Sequence, residues 1–376
     1  MKPTLSYISL WNAADRNAES GYAFSMREQL RKRFNVVDLF PLDFSADRLW
    51  LPVRAAYKAA GKYYHPMREP MVLKYLAGCV EKHVRAVQPQ ILFAPSSIPL
   101  SFVDSKLPHA FVTDQLFCDF VQTYIRSPAE RFVRLGNNQE KHALKTAALA
   151  SFPSQWAADT AISHYGADSA KVDVIPWGAN LPCEIAQEDI DRAIIKRPMG
   201  RCDLVFLGRD WVRKGGNLLV ETVKELNRSG LPTRATIIGC APPGLSREHF
   251  DIHPFLDKGR PEHLAILTAA MMAAHFHFLP SRAEAYGQAF CEAAAFGVPS
   301  IGSTAGGIPT IIRDGETGFV RPLETTGAEF ATIIQGAMSD SGRYQRLARQ
   351  AREDFKLRLN WESFGNRLCN AIAAVM

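Results

Sequence analysis

The stretch that decides the fold, residues 279–320, reads LPSRAEAYGQAFCEAAAFGVPSIGSTAGGIPTIIRDGETGFV. Its spacing predicts the end of a strand, a polar loop, a helix, a second strand and a glycine-rich turn. The turn residues before Gln288 predict that the helix begins there. Gly297 ends it, because glycine is favoured just after the last turn of a helix. This alternation is typical of an α/β protein.

Two carboxylates, Glu284 and Glu292, flank the start of this predicted helix, the first in the loop and the second inside the helix. The free N–H groups and the positive dipole end of a helix favour anions. The amides of Gln288 and Ala289 could therefore hold a phosphate between two groups that bind hydroxyls, and a nucleotide sugar has that form. An ordinary structural role explains the glutamates equally well, with Glu284 as a cap and Glu292 exposed on the helix.

The same stretch resembles the E-x7-E signature of the family-4 retaining glycosyltransferases of GT-B fold. As in that family, it continues with Gly297-Val298-Pro299, a Gly306-Gly307-Ile308-Pro309 turn and an Asp314-Gly315-Glu316-Thr317-Gly318 hairpin. It departs at Thr310, where the family often has glutamate. The resemblance implies an α/β fold of two Rossmann-like domains facing across a cleft, with a C-terminal helix crossing back to the first domain.

Length and composition favour a globular protein of two domains, since the chain has 376 residues, 47% hydrophobic and 22% charged. No uncharged apolar window reaches the roughly 18 residues that a membrane span needs. The start of the chain lacks a signal-peptide cleavage region, so we expect a cytoplasmic protein. Seven scattered cysteines without a C-x-x-C pair indicate reduced thiols and argue against a zinc site.

The net charge of +6 comes from the first part of the chain. Residues 1–150 hold 20 Lys and Arg against 13 Asp and Glu, whereas residues 151–376 hold 24 against 25. Residues 48–64 mix basic with aromatic side chains, which suits peripheral contact with an anionic membrane at its inner face. A solvated basic helix is the commoner explanation. No nucleic-acid partner is expected, because no binding motif accompanies the charge.

The first domain, predicted over residues 1–180, alternates short apolar runs with helices, which is typical of a parallel sheet. The family resemblance makes Gly21 the glycine whose backbone approaches the donor diphosphate; a plain turn glycine is the alternative. Thr113 stands where many members have a histidine. Its neighbour Asp114 is a candidate for orienting the acceptor or a sugar hydroxyl.

The second domain, predicted over residues 201–358, follows a charged segment at 181–200 that we interpret as a linker. An apolar strand leads into Gly208 and Arg209, and Lys214 precedes a helix. Two cations at this place can hold a diphosphate, the arginine through its planar fork and the lysine as a point charge. The family has an arginine and a lysine at this spacing. A solvated basic loop is the alternative.

The resemblance implies the remaining site residues. Lys258 lies in a segment that in the family holds the nucleotide base through the backbone. The predicted donor-binding residues are Gly21, Gly208, Gly239, Lys258, Tyr286, Gly287, Gln288, Ala289 and Glu292, and the predicted catalytic residues are Arg209, Lys214, Glu284 and Asp114. Residues 359–376 are predicted to form the final helix, which packs on the first domain.

The resemblance implies a retaining glycosyltransferase of hexosyl type. It would move a sugar from a UDP- or GDP-sugar to a carbohydrate or lipid-linked acceptor, in bacterial surface polysaccharide synthesis. Neither cofactor nor metal is expected, and the Asp189-Ile190-Asp191 run is read as a helix-surface pair, not a metal motif. The alternatives are a weakly active or inactive nucleotide-binding partner protein and a GT-B nucleotide-sugar epimerase.

Overall fold

The computed structural model describes residues 2–16, 18–42, 45–182 and 185–376, and this part of the chain divides into two compact units. Unit 1 comprises residues 1–176 and 364–376, and unit 2 comprises residues 177–363. The chain therefore passes from one unit to the other after Pro176 and again after Ser363. The sequence predicted these borders a few residues away, at 180 and 358.

Unit 1 is built on a parallel sheet, as the alternation of apolar runs and helices predicted. Within its described residues the strands lie in the order β2-β1-β3-β4-β5-β6. They are β1 (Thr4–Ile8), β2 (Asn35–Leu39), β3 (Ile91–Ala94), β4 (His109–Val112), β5 (Leu149–Phe152) and β6 (Val172–Val174). The helices are α1 (Tyr22–Arg33), α2 (Leu51–Ala59), α3 (Pro70–Val87), α4 (Phe117–Tyr124), α5 (Glu130–Thr146) and α6 (Gln155–Ser163).

Helix α3 buries one apolar stripe against this sheet. On α3, Val72, Leu76 and Val80 recur every four residues, which places them on one face of the helix. They pack in one cluster with Leu92 of β3. Strands β3, β4 and β5 are buried throughout. This explains why they read as continuous apolar runs in the sequence.

Unit 2 repeats the architecture with a second parallel sheet, whose described strands lie in the order β12-β11-β10-β7-β8-β9. They are β7 (Cys202–Leu207), β8 (Thr233–Ile238), β9 (Phe250–His253), β10 (Phe276–Leu279), β11 (Ser300–Ser303) and β12 (Gly318–Arg321). The helices are α7 (Gln187–Lys196), α8 (Gly216–Arg228), α9 (Pro261–Ala273), α10 (Gln288–Ala295), α11 (Ile308–Ile311), α12 (Gly327–Met338), α13 (Ser341–Arg358) and α14 (Trp361–Ala374), of which α14 belongs to unit 1 from Phe364 onward.

The strand order of unit 2 reverses between β7 and β10. These two strands are neighbours, with β8 beyond one and β11 beyond the other. In open α/β sheets, ligands bind at the carboxyl ends of the strands at such a reversal. The loops that leave this point begin at Gly208 and at Pro280. They contain Arg209, Lys214 and Glu284, which the sequence analysis named as candidate site residues.

The predicted linker at 181–200 is wrong over most of its length. Residues 187–196 form α7, and its Ile190 and Ile194 are buried in the core of unit 2 with Val205 and Phe296. The two isoleucines lie four residues apart on one face, while the charged residues that suggested a linker occupy the other faces. Residues 183 and 184 of this segment lie outside the described residues.

The basic and aromatic segment near residue 50 forms α2, a helix in which no residue is buried. Val53 and Tyr57 pack partly against a cluster that includes Tyr64. Leu49 and Leu51 project outward, with 75% and 55% of their surface exposed. In the described part of the chain, no helix combines the length and the apolar content that crossing a bilayer requires.

Two histidines near β10 are buried and neutral. The Nδ1 atom of His275 accepts the Asp203 N–H at 3.0 Å, and its Nε2–H donates to the Pro198 carbonyl at 2.9 Å. Only the neutral ring satisfies both bonds. Burial lowers the pKa of His275 from 6.5 to about 4. Burial, together with the charge of Lys214, lowers the pKa of His277 to about 3.

We predict that Ile194→Ala lowers the free energy of unfolding by about 2–5 kcal/mol, because it opens a cavity in the core of unit 2. Ile195→Ala is the matched control: its side chain lies on the same helix but is 59% exposed, against 1% for Ile194. The control should change stability by less than about 0.5 kcal/mol. Urea denaturation of the full chain measures both, and equal small effects would contradict the packing of α7.

We predict that the stability of unit 2 falls as the pH drops from 6.5 towards 4. Above pH 6.5 both histidines are neutral in the folded and unfolded states, so neither contributes to the pH dependence. Below it, only the unfolded state binds the protons, which favours unfolding by about 2 kcal/mol per histidine at pH 5. The folded ring takes up its proton only near pH 4 for His275 and pH 3 for His277.

The variant His277→Asn tests this effect, because asparagine can keep a polar atom near the Ser300 hydroxyl, which lies 3.2 Å from His277 Nδ1. It should lose less stability between pH 7 and pH 5 than the unmodified chain. His164→Asn, at an exposed position, is the control. Urea midpoints at both pH values give the answer, and an unchanged difference in His277→Asn would refute the assignment.

Candidate functional site

Two loops and one helix end form the candidate site, at the carboxyl edge of the unit 2 sheet. The first loop runs from Gly208 to Gly215, between β7 and α8, and the second from Pro280 to Gly287, between β10 and α10. Gly215 has a φ of 79°, and a Cβ there would lie 2.3 Å from the Pro280 carbonyl oxygen. The two loops therefore touch through backbone, at a place where only glycine fits.

The second loop reaches α10 through a glycine in the left-handed region. Gly287 has a φ of 100° and precedes the first helical residue, Gln288, as the sequence predicted. A Cβ at Gly306 would lie only 1.7 Å from the carbonyl oxygen of Glu284. The glycine-rich turn thus packs against the loop and fixes the position of Glu284. The first N–H groups of α10 have no partner within the helix, which makes them available to an anion.

Glu284 is buried and forms an ion pair with Lys214 of the first loop. The Ser281 hydroxyl lies 3.4 Å from the same carboxylate oxygen. Arg213 holds the loop from outside by donating to the Ala283 carbonyl at 2.9 Å. The structure therefore brings together two predicted catalytic residues, Lys214 and Glu284, that are 70 residues apart in the chain.

Glu292 is the second buried carboxylate, and it pairs with the ammonium group of Lys258. The same ammonium donates to the Asn180 carbonyl at 3.1 Å. The sequence placed Lys258 at the site through its backbone, whereas the structure shows its side chain in contact with another predicted residue. The capping and exposed roles considered for the two glutamates are wrong, because both carboxylates are buried against lysines.

Arg209 is exposed at the start of the first loop, and its guanidinium carbon lies 5.9 Å from the centre of the Phe255 ring. Gly208 and Gly239 bring the ends of β7 and β8 together beneath it. Gly239 has a φ of 105°, and a Cβ there would lie 2.9 Å from the Gly208 carbonyl oxygen and 3.5 Å from the Arg209 nitrogen. These glycines therefore allow a close backbone approach; contact with a ligand stays a prediction.

The side chain of Tyr286 is engaged within unit 2, so the donor contact predicted for this residue would have to come from its backbone. The side chain is buried, and its hydroxyl donates to the Trp177 carbonyl at 3.0 Å. Burial raises the pKa of this hydroxyl well above its usual value. The side chain of Gln288 is also engaged, with Asn180 and the Gly178 carbonyl. Gln288 and Ala289 can thus serve a ligand through their backbone amides.

Gly21 and Asp114, the remaining predicted residues, belong to unit 1. Gly21 precedes α1 with a φ of 79°, a conformation that favours glycine. Asp114 follows β4 at the carboxyl edge of the unit 1 sheet and is partly buried. Beside it, the Thr113 hydroxyl donates to the Gln115 carbonyl at 3.0 Å. The roles proposed for Gly21 and Asp114 remain predictions.

The charges of the unit 2 site favour an anion. Lys214 and Lys258 pair with the carboxylates Glu284 and Glu292, and Arg209 adds an exposed cation at the start of the first loop. The positive end of α10 adds to this charge. Arginine and lysine side chains at a helix start are suited to phosphate groups. Among the described residues, no three His, Cys, Asp or Glu side chains converge as a metal site would require.

The sequence analysis assigned no role to three residues that contact the site. Ser281 and Arg213 position the Glu284 loop, and Asn180 contacts Gln288 and Lys258. Asn180 closes the turn Pro176-Trp177-Gly178-Ala179-Asn180, at the end of the predicted first domain. The composition of this segment indicates a turn, but the neighbouring sequence does not indicate that Asn180 contacts Gln288 and Lys258.

Part of unit 2 matches a known protein family. Residues 201–340 match the family model described as Glycosyl transferases group 1. D-inositol 3-phosphate glycosyltransferase of Nocardia farcinica is 31% identical over 203 residues, which cover 50% of this chain and 44% of that protein. The chain thus spans less than half the length of this relative.

Solved structures share the whole architecture. Sucrose-phosphate synthase from Thermosynechococcus elongatus aligns with a TM-score of 0.70 at 17% identity, covering 100% of this chain and 99% of that one. The Anabaena protein HepE in complex with UDP aligns with a TM-score of 0.66 at 16% identity, covering 100% of each chain. These likenesses confirm the predicted α/β fold. Residues 201–340 are therefore similar to the glycosyl transferases group 1 family, within a chain that has the two-domain GT-B fold.

Proposed function

We propose that the chain is a retaining glycosyltransferase that moves a hexosyl group from a nucleotide sugar to a carbohydrate or lipid-linked acceptor. The observation that carries the proposal is that two buried carboxylates, Glu284 before α10 and Glu292 within it, each pair with a lysine, Lys214 and Lys258. The ion pairs supply cations and carboxylate acceptors for hydroxyl groups, and the start of α10 supplies backbone amides at the same sheet edge. We further propose a role in bacterial surface polysaccharide synthesis, which rests on the family resemblance.

The diphosphate of the donor would lie between Arg209, Lys214 and the amides of Gln288 and Ala289. Lys214 can join it without leaving Glu284, because an ammonium group has three N–H donors. Arg209 is exposed and so can meet a phosphate as it enters. The complex of the Anabaena neighbour with UDP supports UDP as the first nucleotide to test, with GDP as the second.

The two carboxylates would bind the hydroxyls at the ends of the donor. Lys258 contacts Oε1 of Glu292, and ribose hydroxyls would donate to Oε2 of that carboxylate. Glu284 would likewise hold hydroxyls of the transferred sugar near the reacting carbon. Both carboxylates are fixed by lysines before the donor arrives, so little reorganisation accompanies binding.

The chemical step would break the bond between the anomeric carbon and the diphosphate oxygen. Negative charge grows on the leaving diphosphate while the sugar becomes oxocarbenium-like, and Arg209, Lys214 and the helix amides stabilise that charge. The acceptor hydroxyl attacks the anomeric carbon and gives its proton to the departing phosphate oxygen. Asp114 would orient the acceptor, and the backbone of Gly21 would approach the diphosphate. We propose that this chemistry is independent of metal.

We also propose that unit 1 contacts an anionic membrane surface through α2 and the residues around it. The exposed Leu49 and Leu51 could enter the interfacial region, while Arg48, Lys58 and Lys62 face anionic headgroups. This surface would bring the chain to a lipid-linked acceptor on the cytoplasmic side.

We predict that Arg209→Ala lowers turnover of the donor by roughly a hundredfold or more, because loss of one donor to the developing charge costs about 2.7–4 kcal/mol. Arg228→Ala is the matched control, since its side chain pairs with Glu225 on an exposed face of α8. Release of UDP or GDP from a panel of their sugars, measured in buffer with EDTA, gives the turnover. NMR of the product gives its anomeric configuration.

Each outcome has a clear reading. Activity in EDTA, retained configuration and loss only in Arg209→Ala support the proposal. An inverted product, a freed epimer of the sugar, or activity lost in EDTA would each overturn a named part of it. If neither nucleotide nor its sugars bind or react, the enzymatic proposal as a whole fails.

We predict that Leu51→Asp weakens binding to vesicles that contain phosphatidylglycerol, because it places a negative charge and a polar group at the proposed contact. Leu357→Asp is the control, since Leu357 is 64% exposed on α13 of unit 2. Co-sedimentation with these vesicles and with phosphatidylcholine vesicles measures binding, which should also fall at high salt. Equal binding by both variants would argue against this surface.

A further inference from the structure

Two short segments of unit 2 adjoin the points where the chain enters and leaves that unit, and they are bound to each other. Residues 177–180 follow the first crossing, and residues 359–361 precede the second. The Ala179 N–H donates to the Leu359 carbonyl at 3.2 Å. A Cβ on Gly178 would lie 2.3 Å from the Trp361 nitrogen, so the backbones touch.

Asn180 makes the side-chain link between these segments. The Trp361 indole Nε1–H donates to Asn180 Oδ1 at 2.8 Å. The rings of Trp177 and Trp361 stack beside this bond, with centres 6.5 Å apart. The Trp177 carbonyl in turn accepts the Tyr286 hydroxyl at 3.0 Å. The segments are therefore held as one small framework.

The other groups of Asn180 reach the candidate site. Its Nδ2 atom donates to Gln288 Oε1 at 3.2 Å, at the first residue of α10. Its backbone carbonyl accepts from Lys258 Nζ at 3.1 Å, and that ammonium also holds Glu292. Gln288 completes a ring of bonds by donating to the Gly178 carbonyl at 3.3 Å. One asparagine thus contacts both the helix start and the Lys258–Glu292 pair.

We propose that Asn180 is a positioning residue for the nucleotide diphosphate: it holds the first turn of α10 and the Lys258–Glu292 pair against the framework of the two crossing segments. This inference rests on the function proposed above and adds a residue to its donor site. Asn180 acts through Gln288 and Lys258 and need not touch the donor.

The chemistry of an amide side chain explains why asparagine stands here. Asn180 must accept from the Trp361 indole and donate to Gln288 at once, and an amide supplies one acceptor and one donor group in fixed geometry. Aspartate would keep the bond from Trp361 but could only accept, so it would face the Gln288 oxygen without a proton. It would also add a negative charge beside Glu292 and a bound diphosphate.

The experiment compares UDP and GDP affinity, measured by calorimetry on the full chain, with donor KM and kcat. Asn180→Ala and Asn180→Asp should weaken affinity and raise the donor KM by about tenfold, as expected for the loss of one positioning hydrogen bond. kcat should change less than KM. Asn180→Asp keeps the Trp361 bond and so serves as the second variant should Asn180→Ala not fold.

Asn227→Ala is the matched control, because Asn227 also bonds through both ends of its amide, to the Val223 and Thr233 backbone, within unit 2. It should lower the melting temperature and leave affinity within about twofold of the unmodified chain. A purely structural role for Asn180 would give this same result. If the unmodified chain binds neither nucleotide, the proposed function fails; if it binds and both Asn180 variants bind equally well, only this inference fails.

Discussion

The buried carboxylate of Glu284 imposes the constraint on which the site depends. A charge removed from water must be paired, and removing its partner from a buried pair typically costs about 3–5 kcal/mol. Lys214 supplies the partner from a different loop, and the Gly306 backbone closes against the Glu284 carbonyl. These contacts hold the loop after β10 in place. The same requirement at Glu292 is met by Lys258, so the two pairs fix the site on both sides of α10.

Local chemistry made much of unit 2 predictable. The start of α10 at Gln288 and its end before Gly297 follow from glycines with φ of 100° and 59°, which the sequence marks directly. The parallel sheets follow from short apolar runs between helices. The error at α7 has the same origin: its short amphipathic pattern holds many charges, and only the packing of Ile190 and Ile194 shows that the segment belongs to a core.

Contacts between residues that are far apart in the chain could not be predicted from local sequence patterns. Arg209 and Lys214 share one loop, so their spacing alone predicted a cationic site. Lys258 and Glu292 are 34 residues apart, and Asn180 and Gln288 are 108 apart. Their meeting depends on how the loops fold over the sheet edge. Tyr286 is the opposite case, a residue whose place in the signature suggested contact with a ligand. Its hydroxyl instead donates to the Trp177 carbonyl inside unit 2.

The charge balance of the site favours the transition state of the proposed reaction. Glu284 and Glu292 balance the charges of Lys214 and Lys258, and Arg209 adds a positive charge in the first loop, whereas the diphosphate gains negative charge as its bond to the sugar breaks. Attraction to Arg209, Lys214 and the α10 amides therefore grows along the reaction, and only interactions that strengthen towards the transition state accelerate it. Because Lys214 is already held by Glu284, its ammonium is in place before the charge develops. In the proposed reaction, the ion pair between Lys214 and Glu284 would thus also provide electrostatic preorganisation.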